Sequence, residues 1–297
     1  MKKAFWQLHI AVFLAGFTAI LGKLIRLNEG MLVWWRILLT IMVLAGWLYF
    51  TSQMEKISVR SFIKIASVGF IIALHWILFY GSIKYSTISV ALVCFSATGF
   101  FTAVLEPIIL RKRVAWIELL LGLLSIAGLY IIFDFHPQYK TGIIFGLLSA
   151  VGSALFPIFN KQLLVDFKPT TLTLYELSGG LLLLTLILPL YHQFFPAAYY
   201  LPTPEDWIWL LILAVFCTVL LFLLQLNALK KISAFTSNLT FNLEPVYGIL
   251  MAFLFFNESK MLHKEFFFGL ALIVLAVVLQ MFIVYNQAKK KKPMVIT

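Results

Sequence analysis

Residues 241–256 read FNLEPVYGILMAFLFF. Within four positions the chain places an amide, a carboxylate and a proline (Asn242, Glu244 and Pro245), and the residues that follow are almost all apolar. Proline removes a backbone hydrogen bond and frees a carbonyl group, which hydrocarbon tolerates only where protein or water can satisfy it. This stretch therefore predicts a membrane helix with a polar, weakened point that faces a cavity rather than lipid.

The composition of the whole chain also indicates a membrane protein. Of its 297 residues, 62% are hydrophobic and only 12% are charged, and the mean hydropathy is +1.00. A soluble domain carries about 25% charged residues, and a bilayer-spanning helix needs roughly 20 mainly apolar residues. The predicted fold is an all-α integral membrane protein with ten transmembrane helices and little chain left for a soluble domain. The predicted spans are about 4–22, 31–50, 62–82, 86–108, 114–133, 140–160, 171–193, 206–228, 234–256 and 265–285.

Membrane topology explains the net charge of +11 better than nucleic-acid binding does. If the amino terminus is cytoplasmic, sixteen of the 23 lysines and arginines fall on the cytoplasmic side, six fall outside, and Arg36 lies within a span. Cytoplasmic loops carry such an excess of positive residues. We therefore expect a multi-pass protein of the cytoplasmic (inner) membrane with both termini in the cytoplasm. Residues 289–297 are predicted to form a basic tail at the lipid surface.

The two halves of the chain resemble each other. Residues 80–92, YGSIKYSTISVAL, align without gaps on residues 227–239, NALKKISAFTSNL, and the same offset places Gly122 on Gly269. A five-span unit repeated once enters the membrane from the opposite side in its second copy, which is the architecture of many secondary transporters. We predict two inverted five-helix repeats, residues 1–136 and 137–288.

The second half also carries a family resemblance. The stretch ALKKISAFTSNLTFNLEPVYGILMAFLFFNES, followed by FFFGLALIVLAVVL, resembles the EamA branch of the drug/metabolite transporter superfamily. The first half departs from that pattern, because Thr98 stands opposite Pro245 and Arg111 stands opposite Glu258. The resemblance implies a carrier that exports amino acids or related metabolites. It also assigns structural roles to Pro245, Gly122 and Gly269.

The ninth span supplies the first candidate site residues. Asn238, Asn242 and Pro245 share one helical face because their spacing is i, i+4, i+7. We predict that both asparagines line the cavity; the alternative is that they hold helices together through hydrogen bonds. Glu244 lies some 200° round the helix from Asn242, so we expect it to meet a neighbouring helix. It is also a candidate carrier of a coupling proton.

Other spans are predicted to complete the cavity, with spans three, four, eight and nine as walls and spans one and six as gates. The third span offers an aromatic surface on which a histidine could carry a coupling proton; a packing histidine is the equally open alternative. The predicted lining residues outside span nine are His75, Trp76, Phe79, Tyr80, Phe95, Thr98 and Gln225.

Three charged residues remain within or near the spans. Glu106 lies close to Arg111 and Arg113, and we favour an interfacial carboxylate over a role in proton coupling. Arg36 and Glu176 occupy corresponding places in the second and seventh spans. Charges inside a membrane are costly and are normally paired, so we expect each to have a local partner and to hold helices together.

The sequence carries none of the common catalytic signatures. It has no HExxH, no paired-cysteine metal motif, no GxSxG and no phosphate-binding loop, so we expect no enzyme activity, no metal and no cofactor. Cys94 and Cys217 lie within spans and imply no disulfide framework. We predict a secondary transporter of a small organic metabolite that works by alternating access, with a proton as a candidate coupling ion. A non-transporting membrane helper subunit is the alternative. The expected partners are a small molecule and lipid, and no nucleic acid.

Overall fold

The structure, a computed structural model, describes residues 2–111, 113–114, 116–134, 137–232, 237, 240–241, 243–260 and 262–290. Within these ranges the regular structure is helical and contains no strand. Seven helical stretches there are long and apolar enough to cross a bilayer: Lys3–Leu24, Glu29–Phe50, Val59–Tyr85, Ile88–Leu110, Lys140–Leu163, Pro169–Phe194 and Pro204–Leu229. The prediction of an all-α, multi-pass membrane protein is confirmed.

Twelve α-helices have both ends within the described ranges. They are α1 (Lys2–Leu24), α2 (Glu29–Phe50), α3 (Val59–Tyr85), α4 (Ile88–Phe95), α5 (Thr98–Leu110), α6 (Trp116–Asp134), α7 (Lys140–Leu163), α8 (Pro169–Phe194), α9 (Pro204–Ala214), α10 (Leu221–Leu229), α11 (Glu244–Phe256) and α12 (Lys264–Lys290). A π-helical segment, Val215–Leu220, joins α9 to α10. Pro137–Tyr139 and Glu258–Lys260 form short 3₁₀ turns.

The predicted fourth span is divided into α4 and α5. At the break, the hydroxyl of Ser96 donates to the carbonyl oxygen of Val93 (2.6 Å), and the hydroxyl of Thr98 donates to that of Phe95 (2.7 Å). Serine and threonine hydroxyls that bond back to earlier carbonyl groups compete with the helix and bend it. We attribute the break to these side chains. It was not predicted, because the surrounding apolar residues fit one continuous span.

The predicted ninth span is also interrupted. Thr240 and Phe241 are helical, Leu243 lies in a turn, and α11 begins at Glu244. Pro245 therefore stands in the first turn of α11, where a missing backbone N–H removes no intrahelical hydrogen bond. The proline opens a helix here rather than bending one.

Glycines allow α3 to lie directly against α8. A Cβ atom built on Gly69 would lie 1.7 Å from the carbonyl oxygen of Glu176, and one built on Gly180 would lie 2.6 Å from that of Gly69. Gly122, which was predicted to be structural, behaves similarly, because a Cβ atom on it would lie 2.8 Å from Cα of Phe100. Small residues let membrane helices approach until their backbones touch.

Two lysines reach carbonyl groups just beyond helix ends. Lys84, at the end of α3, donates to the carbonyl oxygen of Ile25 (3.2 Å), which follows α1. Lys161, near the end of α7, donates to those of Leu229 (2.5 Å) and Ile232 (2.7 Å), at and after the end of α10. Each ammonium group satisfies carbonyl groups that the helix ends leave without intrahelical partners. These bonds tie α3 to α1 and α7 to α10.

Candidate functional site

A cavity lies among helices from both halves of the chain. It contains about 610 Å³ of empty space, which includes open space at its mouth, and α1, α2, α3, α4, α7, α10 and α11 all contribute to its wall. Its polar lining residues are Thr18, Arg36, His75, Ser153, Gln225 and Glu244.

Aromatic rings form most of the remaining wall. The ring of Phe95 stacks on that of His75 at a centroid distance of 5.5 Å and meets the ring of Phe79 edge-on at 5.3 Å. On the other side, the ring of Phe222 lies 5.6 Å from Trp76 and 5.1 Å from Phe156. A few polar groups set between flat apolar walls suit a small, partly apolar organic molecule.

Arg36 of α2 is fixed in this wall by three neutral acceptors. It is 1% exposed. Its Nε donates to the hydroxyl of Thr218 (2.8 Å), Nη1 donates to the hydroxyl of Tyr80 (2.7 Å), and Nη2 donates to the carbonyl oxygen of Cys217 (2.9 Å). The guanidinium carbon lies 3.7 Å from the centre of the Trp76 ring, within the range of a cation–π contact. The side chain is therefore held in one orientation.

The π segment between α9 and α10 supplies two of these acceptors. Here the backbone N–H of Leu221 donates to the carbonyl oxygen of Phe216, five residues back, and the Thr218 hydroxyl donates to that of Leu213 (2.8 Å). Because the Thr218 hydroxyl donates its proton to Leu213, its oxygen can act only as an acceptor towards Arg36. Segments of this kind occur often at functional sites.

His75 is also held in a defined position. Its Nδ1 lies 2.9 Å from the carbonyl oxygen and 2.8 Å from the hydroxyl oxygen of Ser149, while that hydroxyl donates to the His75 carbonyl oxygen (3.0 Å). With the hydroxyl proton committed, both Ser149 oxygens accept from Nδ1–H. The neutral ring then carries its lone pair on Nε2, which leaves an acceptor for a ligand.

Comparison with known proteins places the chain in a family. The model of the EamA-like transporter family matches residues 2–134 and, a second time, residues 140–282. The chain belongs to the EamA-like transporter family. The match agrees with the resemblance seen in residues 228–259.

EamA-like relatives share sequence over much of their length. The uncharacterized transporter YcxC of Bacillus subtilis is 26% identical over 230 residues, which cover 74% of this chain and 72% of YcxC. The uncharacterized transporter YetK of the same organism is 27% identical over 206 residues, which cover 66% of this chain and 60% of YetK. A solved structure titled only as a crystal structure of a protein matches with a TM-score of 0.66 and 12% identity, covering 97% of this chain and 99% of its own. At that identity the likeness concerns the fold alone.

The cavity of this EamA-like chain contains six of the residues predicted to form a site. They are His75, Trp76, Phe79, Phe95, Gln225 and Glu244. Tyr80 is buried behind the wall, where its hydroxyl holds Arg36. Thr98 is buried at the start of α5 and bonds to Phe95. Asn238 and Asn242 lie outside the described residues.

The structure also locates the two candidate carboxylates. Glu244 lines the cavity, and α11 begins at this residue. Its rotation relative to Asn242 stays a prediction, because Asn242 lies outside the described residues. Glu106 is buried within α5, with 7% exposure, and it is not among the described residues that line this cavity.

The two intramembrane charges differ in their surroundings. Arg36 joins α2 to α3 and to the π segment, as expected of a helix-linking residue, and it also faces the cavity. Glu176 is completely buried beside Asn160, although neither side chain makes a hydrogen bond of ordinary geometry in the described structure. A charge within an apolar run was the visible signal for Arg36. Its cavity position and its Cys217 acceptor had no sequence signal.

Proposed function

We propose that this protein is a secondary transporter that moves a small organic metabolite across the cytoplasmic membrane by alternating access. The observation that carries the proposal is the shared cavity. Its wall combines helices from the first family match, α1 to α4, with helices from the second, α7, α10 and α11. A site between two halves can be exposed to either membrane face when one half rocks against the other.

These halves would be two inverted five-helix repeats, residues 1–136 and 137–288. A basic tail at 289–297 would follow them. The repeated family match supports this division. The lysine caps support it as well, because α3 is tied to the end of α1 by Lys84, and α7 is tied to the end of α10 by Lys161. If the halves are equivalent, α7 corresponds to α1 and α10 corresponds to α3. The same pair of spans is then tied together in each half, but the lysine comes from the other member of the pair.

The family resemblance supports export of amino acids or related metabolites as the transport direction and substrate range. For coupling, we favour Glu244 as the carboxylate that binds and releases a proton, since it faces the cavity from the start of α11. Arg36 and His75 line the same cavity. A solute bound there would lie near Glu244, so protonation of Glu244 would change the electrostatic interaction between the site and the solute.

Blocking the cavity should abolish flux without unfolding the protein. Ser153 lines the cavity, whereas Leu148 on the same helix is 51% exposed on the outer surface of the bundle. We expect Ser153→Trp to reduce solute flux at least tenfold in proteoliposomes that hold the purified chain alone, while Leu148→Trp retains it. Solutes for the assay come from comparing metabolites inside and outside cells that lack or overproduce the protein. Absence of flux for every such solute in the unaltered chain would favour the helper subunit.

Topology can be tested separately with an impermeant thiol reagent. Ala198 lies in the loop after α8 and Gln53 in the loop after α2, and both are exposed. In a chain with Cys94 and Cys217 replaced by alanine, Ala198→Cys should react in intact cells, and Gln53→Cys should react only after the membrane is opened. The reverse pattern would contradict cytoplasmic termini.

A further inference from the structure

Arg36 has unused hydrogen-bonding capacity at the cavity wall. A guanidinium group has five N–H donors, and the described contacts of Arg36 use three of them, one each on Nε, Nη1 and Nη2. One N–H therefore remains on each terminal nitrogen. Because the three occupied donors and the Trp76 ring fix the group, the remaining two are held in place without a partner in the described chain.

Arg36 also has no counter-ion in direct contact with it in the described structure. All three of its acceptors are neutral, and the ion pairs found in the described ranges join Arg26 to Glu205 and Lys168 to Glu55. Glu244 faces the same cavity and its charge acts on Arg36 across a distance, but the two form no ion pair in the described structure. A buried cation without a counter-ion in contact with it is costly. An anionic ligand would supply both that contact and the two missing acceptors.

The wall restricts which anion fits. Arg36 is the sole lysine or arginine among the described lining residues, so a phosphate dianion would find one permanent cation and the opposing carboxylate of Glu244. A carboxylate carries a single charge, and its two oxygens match two N–H donors of one guanidinium group. Next to Arg36 the wall is apolar, formed by Trp76, Phe222 and Ile72 among others.

We infer that the cavity binds a carboxylate with an apolar remainder, and that Arg36 is the residue that holds its two oxygens. The apolar part of the ligand lies between the aromatic rings. The inference deepens the proposed function, since it names the chemical class that the same cavity would carry, but ligand binding can be measured without transport.

Matched acids and amides test the inference on the purified full-length protein in detergent. The probes are phenylacetate and phenylacetamide, 3-phenylpropionate and 3-phenylpropionamide, and isovalerate and isovaleramide, at pH 7.4. Each amide keeps the shape of its acid and loses the charge. We expect at least one acid to bind about tenfold to a hundredfold more tightly than its amide, measured by calorimetry and by the shift in thermal midpoint, as for one or two charge-assisted hydrogen bonds. Equal binding of acids and amides, or no binding of any acid, would overturn the inference.

Variants assign the preference to Arg36. Arg36→Lys keeps the charge and loses the planar fork, and we expect it to lose most of the preference for acids. If Arg36→Lys does not fold, Tyr80→Phe serves instead: it frees a third N–H and leaves Arg36 in place, so the preference should persist with a changed affinity. Arg26 is an exposed arginine that is not part of the cavity wall, so Arg26→Gln should leave the preference unaltered. A preference that survives intact in folded Arg36→Lys, that is lost in Tyr80→Phe, or that is lost in Arg26→Gln, would count against the assignment.

The binding and transport experiments can fail separately. Acid-selective binding without flux in proteoliposomes would remove the transporter proposal and leave the carboxylate site. Flux of solutes with no preference for acids would leave the transporter proposal and remove the carboxylate site.

Discussion

Gly69→Ala is expected to destabilise the protein severely. The added methyl group would lie 1.7 Å from the carbonyl oxygen of Glu176, and a backbone group cannot move aside as a flexible side chain can. Helices α3 and α8 would have to separate along the contact that Gly69 and Gly180 make possible. Overpacking commonly costs about 1–3 kcal/mol and occasionally more; we expect a loss at or above the upper end of that range. The measurements are the thermal midpoint in detergent and the amount of monodisperse protein recovered from membranes.

Gly46→Ala is the matched control for this change. Gly46 also lies within a membrane helix, α2, but a Cβ atom at that position would meet nothing within 4 Å. Alanine is the better helix former by roughly 1 kcal/mol, so the control should be as stable as the unaltered protein or slightly more so. Equal stability of the two variants would show that α3 and α8 are not in backbone contact.

Glu244→Gln is expected to abolish accumulation driven by a pH gradient while leaving exchange of substrate across the membrane. Glutamine keeps the shape of the side chain in the cavity and removes its ability to take up and release a proton. A carrier that loses its coupling group can still alternate between its two faces with substrate bound. The measurements are uptake into proteoliposomes under an imposed pH gradient and counterflow without one. Accumulation should fall at least tenfold, and counterflow should stay within about twofold of the unaltered chain.

Glu205→Gln controls for the loss of a negative charge elsewhere. Glu205 is exposed and pairs with Arg26 at the surface, so its replacement should change neither measurement. Should gradient-driven uptake survive in Glu244→Gln with its pH dependence unaltered, Glu244 does not carry the coupling proton. His75 and Glu106 then become the residues to test.

The sequence predicts the helical membrane architecture well because apolar runs of about 20 residues have few other uses. It also places His75, Trp76 and Phe79 on one wall, since residues three or four apart share a helical face. It does not predict the break at Ser96, which depends on hydroxyl groups that could equally have pointed elsewhere. Nor does it predict that α11 begins at Glu244, because the surrounding apolar residues fit a continuous helix equally well.

Arg36 illustrates a different limit. Its charge within an apolar run identifies it as unusual, but the same signal fits a helix-linking residue and a ligand-binding one. The distinction depends on which acceptors the neighbouring helices offer. One of them is the backbone carbonyl oxygen of Cys217. Because every residue has a backbone carbonyl group, the identity of residue 217 does not reveal this acceptor.

The π segment Val215–Leu220 therefore limits what mutational scanning can detect. Cys217→Ala leaves the carbonyl group that binds Arg36 in place, so an alanine scan would not detect this contact. Deleting one residue within the segment would let it close as an α-helix and would rotate the preceding chain by about 100° relative to α10. The position of Arg36 thus depends on the number of residues between α9 and α10 as much as on their identity, and insertions and deletions there are more informative than substitutions.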